Sequence, residues 1–377
     1  MDLQLTPEQQ TFRDRVRTFA RTEVRPAADR CEPQSRFPRE LLPRLAELGL
    51  LGLLAPRTHG GQGLDTVSAC LAVRELAVAC PSVAVTVHVN NFVFCAPLSR
   101  LGSGGQLDQF LAPAARGERL GAFALSEPDA GADPSRLLAT ARPDDHGYRL
   151  SGRKAWVTNG PLARSFLVVA RVARDEGHDT ALFIVDRDAP GLVISKPHRT
   201  LGLRSALVVD LVLDDVPVPA ERLLGPEGGG LAAALETLQA SRIGVAAQSV
   251  GIARGALSAA QRQDAGSPEQ RQALAGAAAD VEAANLVMLR AAWLVDQGPA
   301  CPREASMAKL ICSETAVRTA GLVLDHAGPE ASRDGHPASR FLRDARVTTI
   351  YGGPSEIQRG IIARNLGRAA AENRYFD

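Results

Sequence analysis

Two glycine-punctuated stretches of this 377-residue chain concentrate the residues that could do chemistry. The first runs Phe123-Ala-Leu-Ser-Glu-Pro-Asp-Ala-Gly-Ala-Asp133 and is followed by Gly152-Arg-Lys-Ala-Trp-Val-Thr-Asn-Gly160. The second runs Ser241-Arg-Ile-Gly-Val-Ala-Ala-Gln248, then Ala305-Ser-Met-Ala-Lys309, Arg340-Phe-Leu-Arg-Asp344 and Ile350-Tyr-Gly-Gly-Pro-Ser-Glu-Ile-Gln358. Gln239 and Arg242 lie three apart, so a helix would set both on one face. The hydroxyl of Ser241 is a very weak base without a partner, and no histidine lies near it in sequence. His88, beside Asn90 and Asn91 on a largely apolar stretch, reads as a satisfied core residue. Glu127 in its Ser-Glu-Pro turn reads as a structural acceptor. Histidines, cysteines and carboxylates never recur at metal-ligand spacing, so no metal site is expected.

These residues need elements to hold them. Up to about residue 120 the chain reads as helices between short turns. Thr6-Pro7-Glu8 opens one, with Phe12, Val16, Phe19 and Val24 near helical spacing until Pro26 breaks the run. Leu41, Leu42, Leu45 and Leu48 mark a second helix that Gly49 ends. Thr66–Ala79 is a long apolar helix, and Gly105–Arg116 is another. From Gly121 short apolar runs alternate with Gly, Pro, Asp and Asn, the spacing of a sheet or small barrel of about six to eight antiparallel strands. From Gly230 alanine-rich helical periodicity returns. The expected fold is mainly α with a central antiparallel β domain, divided as 1–120, 121–229 and 230–377.

Composition narrows the function. Hydrophobic residues at 45% and charged residues at 23% describe an ordinary globular protein. Forty-three Lys and Arg against 42 Asp and Glu leave a net charge of +1, which favours neither nucleic acid nor an anionic membrane. Six cysteines without C-x-x-C pairing read as free thiols in a reducing compartment, and the polar start suits a cytoplasmic protein.

Taken in order, the quoted motifs resemble the acyl-CoA dehydrogenase family over essentially the whole chain. Val216-Pro-Val-Pro219 ahead of Leu224-Gly225 matches as well. The resemblance implies a helical N-terminal domain, a β domain and a C-terminal four-helix bundle, with FAD between the last two. It also implies a homodimer or homotetramer acting on an acyl thioester of CoA or a carrier protein. By the same resemblance, Phe123, Leu125, Ser126, Trp156, Thr158 and Glu356 belong to the flavin site. Gln239, Arg242, Gly352 and Gly353 belong to the substrate site.

The resemblance also exposes departures. The family's catalytic carboxylate belongs at Gly352, and its alternative position is Ser241, so both are empty and the catalytic base is unassigned. A serine expected at the pyrophosphate is Ala132, and a flavin-binding threonine is Pro354, which lacks a hydroxyl and an N–H. Gln261–Pro268 is too short for the Arg-x-x-Phe-Gly loop that reaches a neighbouring subunit's FAD. Asp325–Ala331 lacks the adenylate-clamping glutamine and glycines. Three roles follow: a flavoenzyme with an altered mechanism, a non-catalytic partner of a paralogue, or a flavin-independent enzyme of elimination, isomerisation or cyclisation. For the first, Gly352→Glu is expected to create or raise α,β-dehydrogenation.

Overall fold

The computed structural model describes residues 4–173, 178–261, 267–298 and 301–371. Eight helices are numbered here: α1 Pro7–Phe19, α2 Thr66–Ala79, α3 Pro81–His88, α4 Gly230–Ala260, α5 Pro268–Asp296, α6 Pro302–Ala327, α7 Pro337–Thr348 and α8 Ser355–Ala371. Between α3 and α4 lie strands β1 Leu120–Ala124, β2 Thr140–Asp144, β3 Gly147–Val157, β4 Ala163–Ala173, β5 His178–Asp186, β6 Leu192–Ile194, β7 Val209–Pro219 and β8 Leu223–Leu224. Their order is β6-β7-β3-β2-β4-β5-β8, with β1 beside β4. Most pairings are antiparallel, but β1 and β2 each run parallel to β4, so the sheet is mixed. The helix–sheet–helix order matches the expected fold class.

Pro26 does not end the first helical run. A wide π-turn, Ala20–Val24, precedes it, and the helix continues through Arg25–Cys31. The same device recurs as Val89–Cys95 before Pro97 and Leu107–Leu111 before Pro113. A proline lacks the N–H and its ring clashes with the carbonyl one turn back; the wider turn relieves both problems.

α4 crosses the molecule's centre. It packs against α2, α5, α6 and α7, and its Ile243, Ala246, Ala247 and Val250 join the main core. The helical stretch Pro81–Leu101 is apolar enough to cross a membrane, with a mean hydropathy of 1.2, but 89% of it is buried inside the protein. It is a core helix, and its middle delivers His88, Asn90 and Asn91 toward α4 and β1.

Candidate active site

Trp156 is the most conspicuous side chain of the site. It stands on β3 at a register shift between Lys154 and Val157 and takes a left-handed φ of 59°. Such a backbone in a bulky residue is strained and marks a position held for a purpose. The indole is 63% exposed, although an apolar ring gains by burial. Asp210 holds it in place. Its Oδ1 accepts the Trp156 backbone N–H at 3.2 Å and lies 2.8 Å from His198 Nε2, while the His198 ring lies 4.8 Å from the indole.

Lys154 and Glu127 position the neighbouring segment. Lys154 is fully buried, its Nζ 2.6 Å from Glu127 Oε1 and 3.2 Å from the Leu125 carbonyl. Glu127 also accepts the Leu138 and Ala139 N–H groups at 2.6 and 3.0 Å. Glu127 is therefore a structural acceptor. Next to it Ser126 is exposed, and its carbonyl accepts the Ala155 N–H at 2.8 Å. Phe123 and Thr158 are half-buried and Leu125 is buried, so 123–126 and 156–158 are fixed side by side.

Four further contacts close a ring around this surface. Asn159 Nδ2 donates to the Thr86 carbonyl at 3.1 Å, tying the Trp-Val-Thr-Asn turn to α3. Two residues on, His88 Nε2 lies 3.1 Å from Ser241 Oγ on α4. One turn beyond Ser241, Val245 faces Gly352: a Cβ built on Gly352 would stand 3.1 Å from Val245 Cγ2. The ring returns through Asp344, which accepts the Leu203 N–H at 2.6 Å and so ties α7 to the β6–β7 connection that carries His198. Arg340 lies 3.8 Å from Asp344, which keeps the Asp344 carboxylate in a packing role. These contacts pair His88 with Ser241, set Gly352 against Val245 one turn further along α4, and tie the turn after Trp156 to α3.

Asn90 and Asn91 are pinned. Asn90 bonds the Leu51 and Ala114 carbonyls and the Gly121 N–H, and Asn91 bonds the Leu50 and Val87 carbonyls and the Leu53 N–H. His88 departs from the satisfied core residue expected. Its Nδ1 is buried with no partner among the described residues, and burial pushes the imidazole down to about 4. Sequence reasoning missed the pairing with Ser241 because 153 residues separate the two. The readable trace was Gly244, one turn from Ser241, where a Cβ would stand 2.5 Å from the imidazole.

Gly352 and Gly353 take left-handed φ values of 66° and 93°. The Gly353 carbonyl accepts Gln358 Nε2 at 2.8 Å, and the Tyr351 hydroxyl bonds Gln248 Oε1. Ala132 is exposed, Pro354 is half-buried, and Glu356 is exposed on the first turn of α8. Asp325–Ala331 spans the end of α6 and the start of a short 3-10 turn. The short loop at Gln261–Pro268 falls largely on 262–266, outside the described residues.

Gln239 is half-buried and Arg242 buried, and Arg242 makes no ion pair among the described residues. Lys309 is fully buried with its Nζ unpartnered. Burial first, then the Arg242 charge, pushes the Lys309 ammonium down to about 8 from 10.5. The unfolded chain binds that proton more tightly, so the penalty is full below pH 8 and fades as pH rises to about 10.5. At 1.36 kcal/mol per unit the penalty is on the order of 3 kcal/mol. Lys309→Met is accordingly expected to raise the urea midpoint at pH 7 and to flatten the rise in stability between pH 8 and 10.5. An unchanged midpoint and slope would show that the ammonium is compensated.

The six cysteines are buried and free, and no group of three or more metal-ligating side chains occurs among the described residues. Three family models cover the chain: the acyl-CoA dehydrogenase N-terminal domain over 6–118, the middle domain over 122–216 and the C-terminal domain over 228–367. An acyl-CoA dehydrogenase of Bacillus subtilis is 38% identical over 375 residues, covering 97% of this chain and 99% of that protein. A Mycobacterium smegmatis glutaryl-CoA dehydrogenase solved with FADH2 is 28% identical, with a TM-score of 0.89 over 96% of this chain and 95% of its own. The prolyl acyl carrier protein oxidase AnaB is 29% identical, with a TM-score of 0.90 over 97% of this chain and 100% of its own.

Proposed function

Because the chain belongs to the acyl-CoA dehydrogenase family, we propose that it is an FAD-dependent oxidoreductase of an acyl thioester that works without the family's carboxylate base. The observation that carries this reading is Trp156. An indole held exposed at a strained φ, beside the fixed 123–126 segment, offers the flat apolar face a flavin ring needs. The residues suit the ring half of FAD. The phosphate half lacks the hydroxyls expected at Ala132 and Pro354.

FAD, when bound, supplies the acceptor for the hydride that leaves the β-carbon of the acyl group. The chain's own residues bind and orient the thioester. The Gly352 N–H survives the loss of a side chain and polarises the thioester carbonyl, a contribution of about 2.7–4 kcal/mol for one well-placed donor. Thr158, Phe123, Leu125, Ser126 and Glu356 border the flavin, and Gln239, Arg242 and Gly353 border the substrate. The thioester belongs to CoA, as in the Bacillus subtilis relative's name, or to a carrier protein, as in AnaB's. Free buried cysteines support a cytoplasmic location. The family reading implies assembly as a homodimer or homotetramer.

The test is an absorbance scan of the purified protein before and after FAD is added. Flavin bands that stay with the protein through gel filtration support the reading, and their absence at saturating FAD overturns it. Trp156→Ala is expected to weaken FAD binding roughly threefold to tenfold, the loss of about 0.5–1.5 kcal/mol of ring contact. Unchanged affinity would remove Trp156 from the site.

A further inference from the structure

We propose that Ser241 and His88 together form the proton acceptor of this site, Ser241 touching the substrate and His88 acting through it. The inference rests on the acyl-thioester reading above. Both side chains are buried and Oγ and Nε2 are 3.1 Å apart, a distance at which the tautomer with a bare Nε2 accepts the Ser241 proton. Ser241 lies one helical turn before Val245, the residue Gly352 faces, so its hydroxyl is on the side of α4 that looks onto the thioester-polarising loop.

The local build preserves the pair. Gly244 clears the space: any Cβ there would meet His88 Cδ2 at 2.5 Å and Nε2 at 2.8 Å. Phe92 packs beside the imidazole, with ring centroids 5.2 Å apart, and also borders the space that Gly244 leaves open. Burial lowers its titration to about 4 and a hydrogen bond to the Ser241 backbone opposes that shift, with no charged side chain among the described residues entering, so the imidazole is neutral at pH 7.

In the step itself the Cα–H bond of the thioester breaks and its electron pair moves into the enolate that the Gly352 N–H stabilises. The proton goes to Ser241 Oγ as the hydroxyl proton passes to His88 Nε2, leaving a neutral serine and an imidazolium. No oxidant enters this half of the reaction.

It is therefore testable without turnover, by NMR of α-proton exchange of butyryl-CoA in deuterium oxide with the purified protein. Ser241→Ala, His88→Gln and Gly244→Ala are each expected to slow exchange about 100-fold or more, and the first two together no further. Ser241→Glu in the His88→Gln background is expected to restore exchange, a rescue that a purely structural histidine would not permit. Exchange within threefold of wild type in Ser241→Ala overturns the proposal, and that variant removes a single oxygen from a helical position, so it keeps the fold. If exchange survives in Ser241→Ala while FAD binds, only the dyad fails. If wild type neither binds FAD nor exchanges the α-proton, the thioester reading fails with it.

Discussion

Ser241→Glu is expected to dehydrogenate a short-chain acyl-CoA at least about 100-fold faster than Ser241→Ala, the lower range for a positioned general base, and no slower than wild type. The position is regular α-helix, so a glutamate there needs no unusual backbone. His88, already within hydrogen-bond reach of residue 241, can donate to the new carboxylate and orient it. Gly352→Glu is the obvious alternative, and the structure makes it the weaker one. Its φ of 66° places an L side chain in the left-handed region, at a cost of about 1–2 kcal/mol. Its Cβ would also stand 3.1 Å from Val245 Cγ2, so that side chain must give way. Gly352→Glu is expected to show a smaller gain and a lower unfolding midpoint than Ser241→Glu. Steady-state rates and urea melts of both variants check the ranking, and a larger gain from Gly352→Glu would reverse it.

Lys154→Met should be the most destabilising substitution on the β side, by about 3–5 kcal/mol, because it strands a buried carboxylate without its cation. Glu127 would keep two backbone N–H donors but lose the ammonium at 2.6 Å. The loss has a functional side. Lys154 also holds the Leu125 carbonyl, so the 123–126 segment beside Trp156 loses an anchor. Urea unfolding measures the first effect and FAD titration the second. A loss below about 1 kcal/mol would mean that the pair contributes little to stability.

The architecture was legible where patterning was strong. Thr66–Ala79 coincides with α2, and the short apolar runs after Gly121 became strands. β2, Thr140–Asp144, gave no signal because Arg142 and Pro143 break its apolar pattern; its pairing with β3 across the Asp144–Gly147 turn forms it instead. The runs 148–150 and 154–158 became one strand, β3, because register shifts let it bend without ending. At the site, motif residues such as Trp156, Ser126 and Gly352 could be named from sequence. Their supports could not. His88–Ser241, Asp210–His198 and Leu203–Asp344 join residues far apart in the chain or without a motif of their own. Nor does spacing reveal that, among the described residues, Arg242 and Lys309 have no carboxylate partner in hydrogen-bond reach, which only three-dimensional packing decides.

Anaerobic mixing of the FAD-loaded protein with a series of acyl thioesters, on CoA and on a carrier protein, tests the central claim most directly. Thioester oxidation without a carboxylate base, as proposed, predicts that at least one of them bleaches the flavin band within a single turnover and yields the enoyl thioester. A protein that holds FAD yet leaves the band unchanged with every thioester, while Ser241→Glu bleaches it, would contradict the claim that the wild-type site has a working proton acceptor.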